Sequence, residues 1–119
     1  EIKLYTRHFH RLRQPAVLKM IKMTVEGAQR ASVTAGKKKY VSVCGEAAAD
    51  PALAVVLIGL GVDTLSMNAG AIPAVAAVLK SVTKEKAQQI AAIALQQISS
   101  AEAKESARKA LPILDELGL

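Results

Sequence analysis

The most regular pattern of apolar positions lies in the first third of the chain. Its members recur at steps of three and four residues, with basic side chains between them: Val17, Leu18, Ile21, Val25, Ala28 and Ala31. This spacing is typical of the buried face of an amphipathic helix. Pro15 suits the first helical position and Gly36 suits an end, so the pattern predicts one helix between them.

Two short β-branched runs follow, and they predict strands over Tyr40–Cys44 and Thr64–Met67. Between them, Asp50 is placed as an N-cap with Pro51 at the first helical position, and Gly61 follows the last apolar residue. The enclosed helix is apolar almost all round, which predicts burial on several sides. Strand, helix and strand in this order form a right-handed βαβ unit.

The rest of the chain is predicted to be helical. Pro73 opens a helix that reaches about Lys80, and a polar joint over 81–83 leads to the next. The apolar residues of that next helix share one face: Ala87, Ile90, Ala91, Ala94 and Ile98. Ser99 and Glu102 form a capping box for a last helix from about Ala101, which Pro112 should interrupt and Gly118 should end.

The beginning of the chain has no clear period. Ile2, Leu4 and Thr6 alternate with polar residues, which allows a short strand, but a loose arm fits equally well. We assign residues 1–13 to an irregular N-terminal arm and residues 14–119 to one α/β domain. Two parallel strands do not make a stable sheet, and a (β/α)₈ barrel needs roughly 250 residues. The pattern therefore predicts a piece of a larger domain, or one that must associate.

Composition narrows the class of protein. Hydrophobic residues make up 51% of the 119 residues but aromatic residues only 3%, which favours alanine-rich helices. A single cysteine cannot form an internal disulfide, and this favours a reducing compartment. Glycine, proline or polar residues interrupt every long apolar stretch, and the first residues do not show the pattern of a signal peptide. We therefore expect no membrane span and a cytoplasmic location.

The net charge of +6 is spread unevenly along the chain. Residues 1–40 hold ten basic and two acidic residues, whereas residues 41–119 hold six basic and eight acidic residues. A basic half can mark a surface that binds nucleic acid or phosphate. No nucleic-acid motif accompanies the charge, so we favour a solvated helix face and a lysine loop over 37–39, and expect no nucleic-acid partner.

The candidate chemistry lies around Cys44, at the predicted carboxyl end of a strand, where α/β folds hold their active sites. From spacing alone, Cys44 is either a buried small hydrophobe or a catalytic thiol. Glu46 can support the turn or contact a substrate. Ser66 and Asn68, near the exit of the second strand, can line a pocket or cap the strand end.

The two histidines, His8 and His10, have a spacing that can suit a metal ion, but the sequence offers them no partner ligands. We therefore predict no metal site in this chain, and we do not expect either histidine to carry a phosphoryl group.

The segment Val41–Pro51, with Cys-Gly-Glu at its centre, resembles the cysteine motif of enzyme I of the bacterial sugar phosphotransferase system, the phosphoenolpyruvate–protein phosphotransferases. Residues 59–67 are similar to the next block of that family, and residues 14–18 to the helix start before it. The resemblance is close over about 14–80. It implies the last two βα units of a PEP-utilising (β/α)₈ (TIM-type) barrel, followed by C-terminal helices.

The resemblance also implies an activity. Family members bind phosphoenolpyruvate and Mg²⁺, dimerise, and pass the phosphoryl group to a histidine of a separate domain. From there it goes to a histidine-containing phosphocarrier protein for sugar uptake. Cys44 aligns with the proton donor to C3 of enolpyruvate. We take Gly45 and Glu46 beside it as candidate substrate contacts, and for Glu46 we favour structural support of the turn. A thiol is mostly protonated at neutral pH and can protonate such a carbon, and a helix N-terminus close behind it would ease thiolate formation.

The chain also departs from the family pattern. The acidic Mg²⁺ ligands and the arginines that hold phosphate belong to earlier strands, and no matching segment is present. We therefore expect this fragment to be inactive alone and to form a homo-oligomer through alanine-rich faces. One alternative is a non-catalytic helical interaction module derived from the barrel, and another is a basic nucleic-acid binder.

Overall fold

The computed structural model describes residues 1–6, 15–97 and 100–119, and the strands among them form one parallel sheet. The strands are β1 (Ile2–Thr6), β2 (Val41–Gly45) and β3 (Thr64–Ser66), in that spatial order. Cys44 on β2 pairs in register with Tyr5 on β1 and with Ser66 on β3. The cysteine therefore lies on the central strand of this sheet.

Strand β1 corrects the assignment of residues 1–13 to an irregular arm. Residues 2–6 are a full member of the sheet, and the Ile2 amide also donates to the Tyr40 carbonyl at 2.9 Å. The sheet thus has three parallel strands where the pattern predicted two. The alternation of Ile2, Leu4 and Thr6 was too short to distinguish a strand from a loose arm. Strand β1 is stabilised by a partner strand far along the chain, which a local pattern does not show. The remainder of the predicted arm, residues 7–13, lies outside the described residues.

The helices of the described residues agree with the predicted ones to within one or two positions. They are α1 (Pro15–Ala35), α2 (Pro51–Gly59), α3 (Ile72–Lys80), α4 (Lys84–Gln96), α5 (Ser100–Lys109) and α6 (Ile113–Glu116). Short 3₁₀ turns over Glu46–Ala49 and Ala69–Ala71 precede α2 and α3. The pattern did not predict these turns, because three or four residues are too few to show a period.

The apolar stripe of α1 faces the core as predicted. Its buried residues are Pro15, Leu18, Ile21, Val25 and Ala28. The helix ends where Gly36 adopts a φ of 61°, a left-handed conformation that other residues adopt only with strain. Helix α2 is buried on all sides, with every residue of 52–57 in the core, as its uniformly apolar sequence predicted.

The C-terminal helices close over the core. Pro112 interrupts them as predicted, because α5 ends at Lys109 and α6 begins at Ile113. Leu111 and Leu114 are buried, and Gly118 has the positive φ expected of a helix end. Ile98 and Ser99, which the sequence placed on α4 and in a capping box, lie outside the described residues.

The two faces of the sheet differ in chemistry. Val41 and Val43 of β2 are buried in the core, with exposed fractions of 1% and 0%. Side chains alternate along a strand, so Ser42 and Cys44 lie on the opposite face. This helix-rich α/β arrangement is compatible with part of a barrel, and the complete barrel stays a prediction. None of the helices in the described ranges combines the length and apolarity that a membrane crossing needs.

Candidate active site

Cys44 is the penultimate residue of the central strand and lies at its carboxyl end. The side chain is half-buried and forms no disulfide. Val43 beside it is fully buried on the other face of the sheet, which fixes the direction of the strand. The strand therefore holds the thiol firmly while leaving part of it accessible to a small molecule.

The neighbour of Cys44 on β3 is a hydroxyl-bearing residue, Ser66, which is exposed. Adjacent strands lie about 4.8 Å apart, and register partners on parallel strands point to the same face. Thr64, also exposed, pairs with Ser42 one step earlier on that face. This face of the sheet is therefore polar both near its centre, where Ser42 is buried, and at the end where Cys44 lies.

Gly45 has a backbone conformation that explains why a glycine follows the cysteine. Its φ is 110° with a ψ of −165°, a region that is essentially restricted to glycine. This conformation turns the chain from β2 directly into the 3₁₀ turn that begins at Glu46. We infer that any side chain at this position would strain the turn beside the thiol.

Glu46 lies on the outside of that turn. Its side chain is exposed, whereas Ala47 and Ala48 behind it are completely buried. The two alanines anchor the turn to the core, and the carboxylate stays at the surface, two residues after Cys44. The structure thus brings the three predicted site residues together at one edge of the sheet, while their roles stay predictions.

The helix behind Cys44 begins at Pro51, as predicted, and the 3₁₀ turn over Glu46–Ala49 lies between it and the cysteine. Its N-terminus is capped by Asp50, whose Oδ1 accepts hydrogen bonds from the amides of Ala52 at 3.0 Å and Leu53 at 3.2 Å. The predicted N-cap is confirmed. The expectation that this helix N-terminus eases formation of the Cys44 thiolate stays a prediction.

Two further polar residues near the site have structural partners. The Ser42 hydroxyl is 1% exposed and donates to Glu1 Oε1 at 2.8 Å. The sequence did not reveal this pair, because the two residues are far apart along the chain. Asn68 Oδ1 accepts from the Ala71 amide at 3.0 Å, which confirms Asn68 as a cap. His8 and His10 lie outside the described residues.

The comparison with known families places this edge of the sheet in context. Residues 4–84 match the family described as PEP-utilising enzyme, PEP-binding domain, and this span includes all three strands except the first residues of β1. The chain belongs to this family. The matched span contains Cys44, Gly45 and Glu46, and the resemblance drawn from the cysteine motif is confirmed.

Individual relatives agree with the family match. The chain is 42% identical over 98 residues to a phosphoenolpyruvate-protein phosphotransferase of Streptomyces coelicolor, covering 82% of the chain and 16% of the relative. It is 41% identical over 93 residues to a Haloferax volcanii protein of the same name, covering 78% and 15%. A multiphosphoryl transfer protein of Xanthomonas campestris is 45% identical over 82 residues, covering 69% and 9%. The chain thus spans about a sixth or less of the length of these relatives.

The Mg²⁺ ion that the family resemblance implies stays a prediction. Among the described residues, no three histidine, cysteine, aspartate or glutamate side chains come together. A magnesium ion in proteins is usually held by one or two carboxylates with waters and substrate phosphate oxygens, so a site of this kind would not need such a group.

The opposite end of the sheet is held by an ion pair. Lys38 Nζ lies 2.8 Å from Asp63 Oδ1, while Asp63 Oδ2 accepts from the Val41 amide at 3.0 Å. Burial works against ionisation of Asp63, but the hydrogen bonds from Lys38 and the Val41 amide outweigh it and lower the pKa of that carboxyl. The hydrogen bond to Asp63 raises the pKa of Lys38. This pair joins the starts of β2 and β3, at the end of the sheet away from Cys44.

Proposed function

We propose that this chain forms part of a phosphoenolpyruvate–protein phosphotransferase in which Cys44 is the proton donor to C3 of enolpyruvate. The observation that carries the proposal is the position of the thiol. Cys44 is half-buried at the carboxyl end of the central strand, beside the exposed Ser66 of the next strand, inside the segment that matches a PEP-binding domain. Ligands of parallel α/β sheets bind at this end.

The proposed chemistry balances with the thiol as the acid. The bond between phosphorus and the enol oxygen of phosphoenolpyruvate breaks as a histidine nitrogen takes the phosphoryl group, which leaves the enolate of pyruvate. The enolate electron pair then forms a bond from C3 to hydrogen, and the bond between Sγ and that hydrogen breaks. The product is pyruvate, and the remaining thiolate takes a proton from solvent.

The two residues after the cysteine would assist this step by letting the substrate approach the backbone and by contacting it. Gly45 has no side chain, so the backbone at the strand end can approach a substrate closely. Glu46 is exposed on the adjoining turn, two residues after Cys44. We propose both as substrate contacts, with Glu46 in a supporting role, because its turn is held by the buried alanines that follow it.

The remaining parts of the proposed reaction come from the family resemblance and stay predictions. They are the Mg²⁺ ion, the histidine that takes the phosphoryl group, the histidine-containing phosphocarrier protein and a role in sugar uptake. Phosphoryl transfer depends on positioning and on stabilisation of charge. Because the resemblance implies that the metal and phosphate ligands belong to earlier strands, and the chain spans only 16% of the Streptomyces coelicolor relative, we expect the 119-residue chain alone not to turn over phosphoenolpyruvate.

The rate at which iodoacetamide alkylates Cys44 tests the proposal, since Cys44 is the only cysteine of the chain. We expect phosphoenolpyruvate with Mg²⁺ to leave this rate unchanged in the chain alone. The same rate is measured in a hybrid enzyme. This hybrid is the Streptomyces coelicolor relative with its matching segment replaced by residues 15–84 of this chain. In the hybrid, substrate should slow alkylation of Cys44 at least severalfold. If substrate binds the hybrid without slowing alkylation, Cys44 does not line the substrate site.

A helical interaction module is the second candidate function, and the surface of α1 favours it. Met20, Met23 and Val33 on this helix are 66%, 67% and 84% exposed. Exposed apolar side chains of this size promote association. Such a module would form a homo-oligomer. Neither phosphoenolpyruvate nor the Cys44→Ala substitution would change the stability of that oligomer. Sedimentation of the wild-type chain and this variant, with and without substrate, distinguishes the two functions.

A further inference from the structure

A groove lies at the end of the sheet opposite Cys44, and the proposed chemistry makes no use of it. It has a volume of about 390 Å³ and lies between the C-terminal half of α1, the loop over 36–40 and the first turns of α4. Val41, the first residue of β2, forms part of its wall. Since a strand rises about 3.3 Å per residue, the groove wall is roughly 10 Å along β2 from Cys44.

The loop that forms one wall of this groove is held in place by its own contacts. The Lys39 amide donates to Ser32 Oγ at 2.8 Å, and the Lys37 amide donates to the Ser32 carbonyl at 3.2 Å. The ammonium group of Lys38 contacts Asp63 and lies 4.7 Å from the centre of the Tyr40 ring. The backbone of this loop and the ammonium group of Lys38 are therefore held in place before any ligand arrives.

The groove carries excess positive charge. Lys38, Lys39 and Lys84 line it, and Asp63, which is paired with Lys38, is its acidic residue. Neither Lys39 nor Lys84 forms an ion pair with any part of the chain that the structure describes. The two lysines without an ion pair belong to different elements, the loop and α4, and both line the same groove.

Neutral hydrogen-bonding groups complete the lining. Gln29 on α1 and Gln88 on α4 both line the groove, and a primary amide offers two donors besides its acceptor oxygen. Ammonium groups and amide donors in one concavity suit the oxygen atoms of a phosphate or carboxylate. The volume is within the range typical of small-molecule sites. A nucleic acid would instead need a longer row of cations along its backbone.

We propose that this lysine groove is a binding site for a small multivalent anion, such as a phosphorylated or polycarboxylated metabolite, with Lys39 and Lys84 as its principal contacts. The proposed site is separate from the site at Cys44. It needs neither the metal nor the remaining length of the relatives, because every residue that lines it lies in residues 25–88.

Equilibrium dialysis of the 119-residue chain against labelled inorganic pyrophosphate tests the proposal. The test variants are Lys39→Gln and Lys84→Gln. Each has a matched control with the same loss of charge, Lys37→Gln in the same loop and Lys86→Gln on the same turn of α4, since neither control residue lines the groove. We expect binding of one pyrophosphate per chain, weakened roughly three- to fivefold by each test variant and less than twofold by each control.

Four results would overturn the proposal, and the fourth concerns the alkylation of Cys44. The first is the absence of binding at low ionic strength, and the second is an equal loss of affinity in all four variants, which would mean attraction to net charge alone. The third is tighter binding of a single-stranded oligonucleotide that depends on Lys37 as much as on Lys39, which would make the loop a nucleic-acid surface. The alkylation rate of Cys44 should be unchanged by pyrophosphate. A strong reduction would mean that the anion binds at the strand end instead.

Discussion

Replacing Gly59 by alanine should destabilise the chain, because α2 and α4 approach each other most closely at this residue. A Cβ atom on Gly59 would collide with the backbone carbonyl of Ala87 and would lie 2.9 Å from the Cβ of Ala91. Neither neighbour can move aside by a side-chain rotation, because one atom is backbone and the other is fixed to it. The two helices would therefore have to separate.

The size of the effect follows from two opposing contributions. Overpacking of a well-packed core costs about 1–3 kcal/mol. Alanine is favoured over glycine in a helix interior by about 1 kcal/mol, but Gly59 is the last residue of α2, where this gain is smaller. We expect a net loss of about 2 kcal/mol in the free energy of unfolding.

A second glycine offers a control of opposite sign. Gly27 lies in the interior of α1, and a Cβ there would meet only the Arg30 guanidinium at an ordinary contact distance of 3.8 Å. Gly27→Ala should therefore stabilise the chain by about 0.5–1 kcal/mol. Urea unfolding followed by far-ultraviolet circular dichroism measures both variants. If Gly59→Ala were as stable as the wild type while Gly27→Ala behaved as expected, the close packing of α2 on α4 would be refuted.

Three further predictions concern the side-chain contacts of Asp63 and Asp50. Asp63→Ala removes both the ion pair to Lys38 and the acceptor for the Val41 amide and should cost about 1–2 kcal/mol, whereas Asp63→Asn keeps an acceptor and should cost less. Because folding lowers the pKa of Asp63, its stabilising effect is complete above the ordinary value of 3.8 and is lost as pH falls through the lower folded value. Urea unfolding from pH 6 to pH 2 should show this loss in the wild type and not in Asp63→Asn. Asp50→Ala removes the cap of α2 and should cost about 1 kcal/mol, with Asp50→Asn as the tolerated control; equal losses in the two variants would contradict the capping role.

Much of the fold could be predicted from sequence because its strongest signals are local. The apolar stripe of α1, the uniformly apolar α2 and the Asp50–Pro51 start each follow from residues within one or two helical turns. Strand β1 could not be decided in this way. Its five residues depend on pairing with β2, a contact between distant segments that no local pattern contains.

The residues of the candidate site could be predicted from sequence, but the neighbours that distant segments bring to it could not. The order of strand, cysteine and glycine placed Cys44 at a strand end, and the positive φ of Gly45 gives the physical reason for that glycine. The register that puts Ser66 beside Cys44, and the hydrogen bond between Ser42 and Glu1, depend on how distant segments meet. The lysine loop was visible as a run of charge, but the groove that it lines depends on α1 and α4 together.

Exchange of the methyl hydrogens of pyruvate with deuterated solvent tests the central claim most directly, because the proposed donor must also remove this proton in the reverse direction. Proton nuclear magnetic resonance would follow the exchange in the hybrid enzyme carrying residues 15–84, with Thr64→Val on the same face as a matched control. The proposed role of Cys44 predicts that Cys44→Ala reduces the exchange rate by a factor on the order of a hundred, while Thr64→Val changes it little. An unchanged rate in a folded Cys44→Ala hybrid would contradict it, and the proton donor would then lie elsewhere.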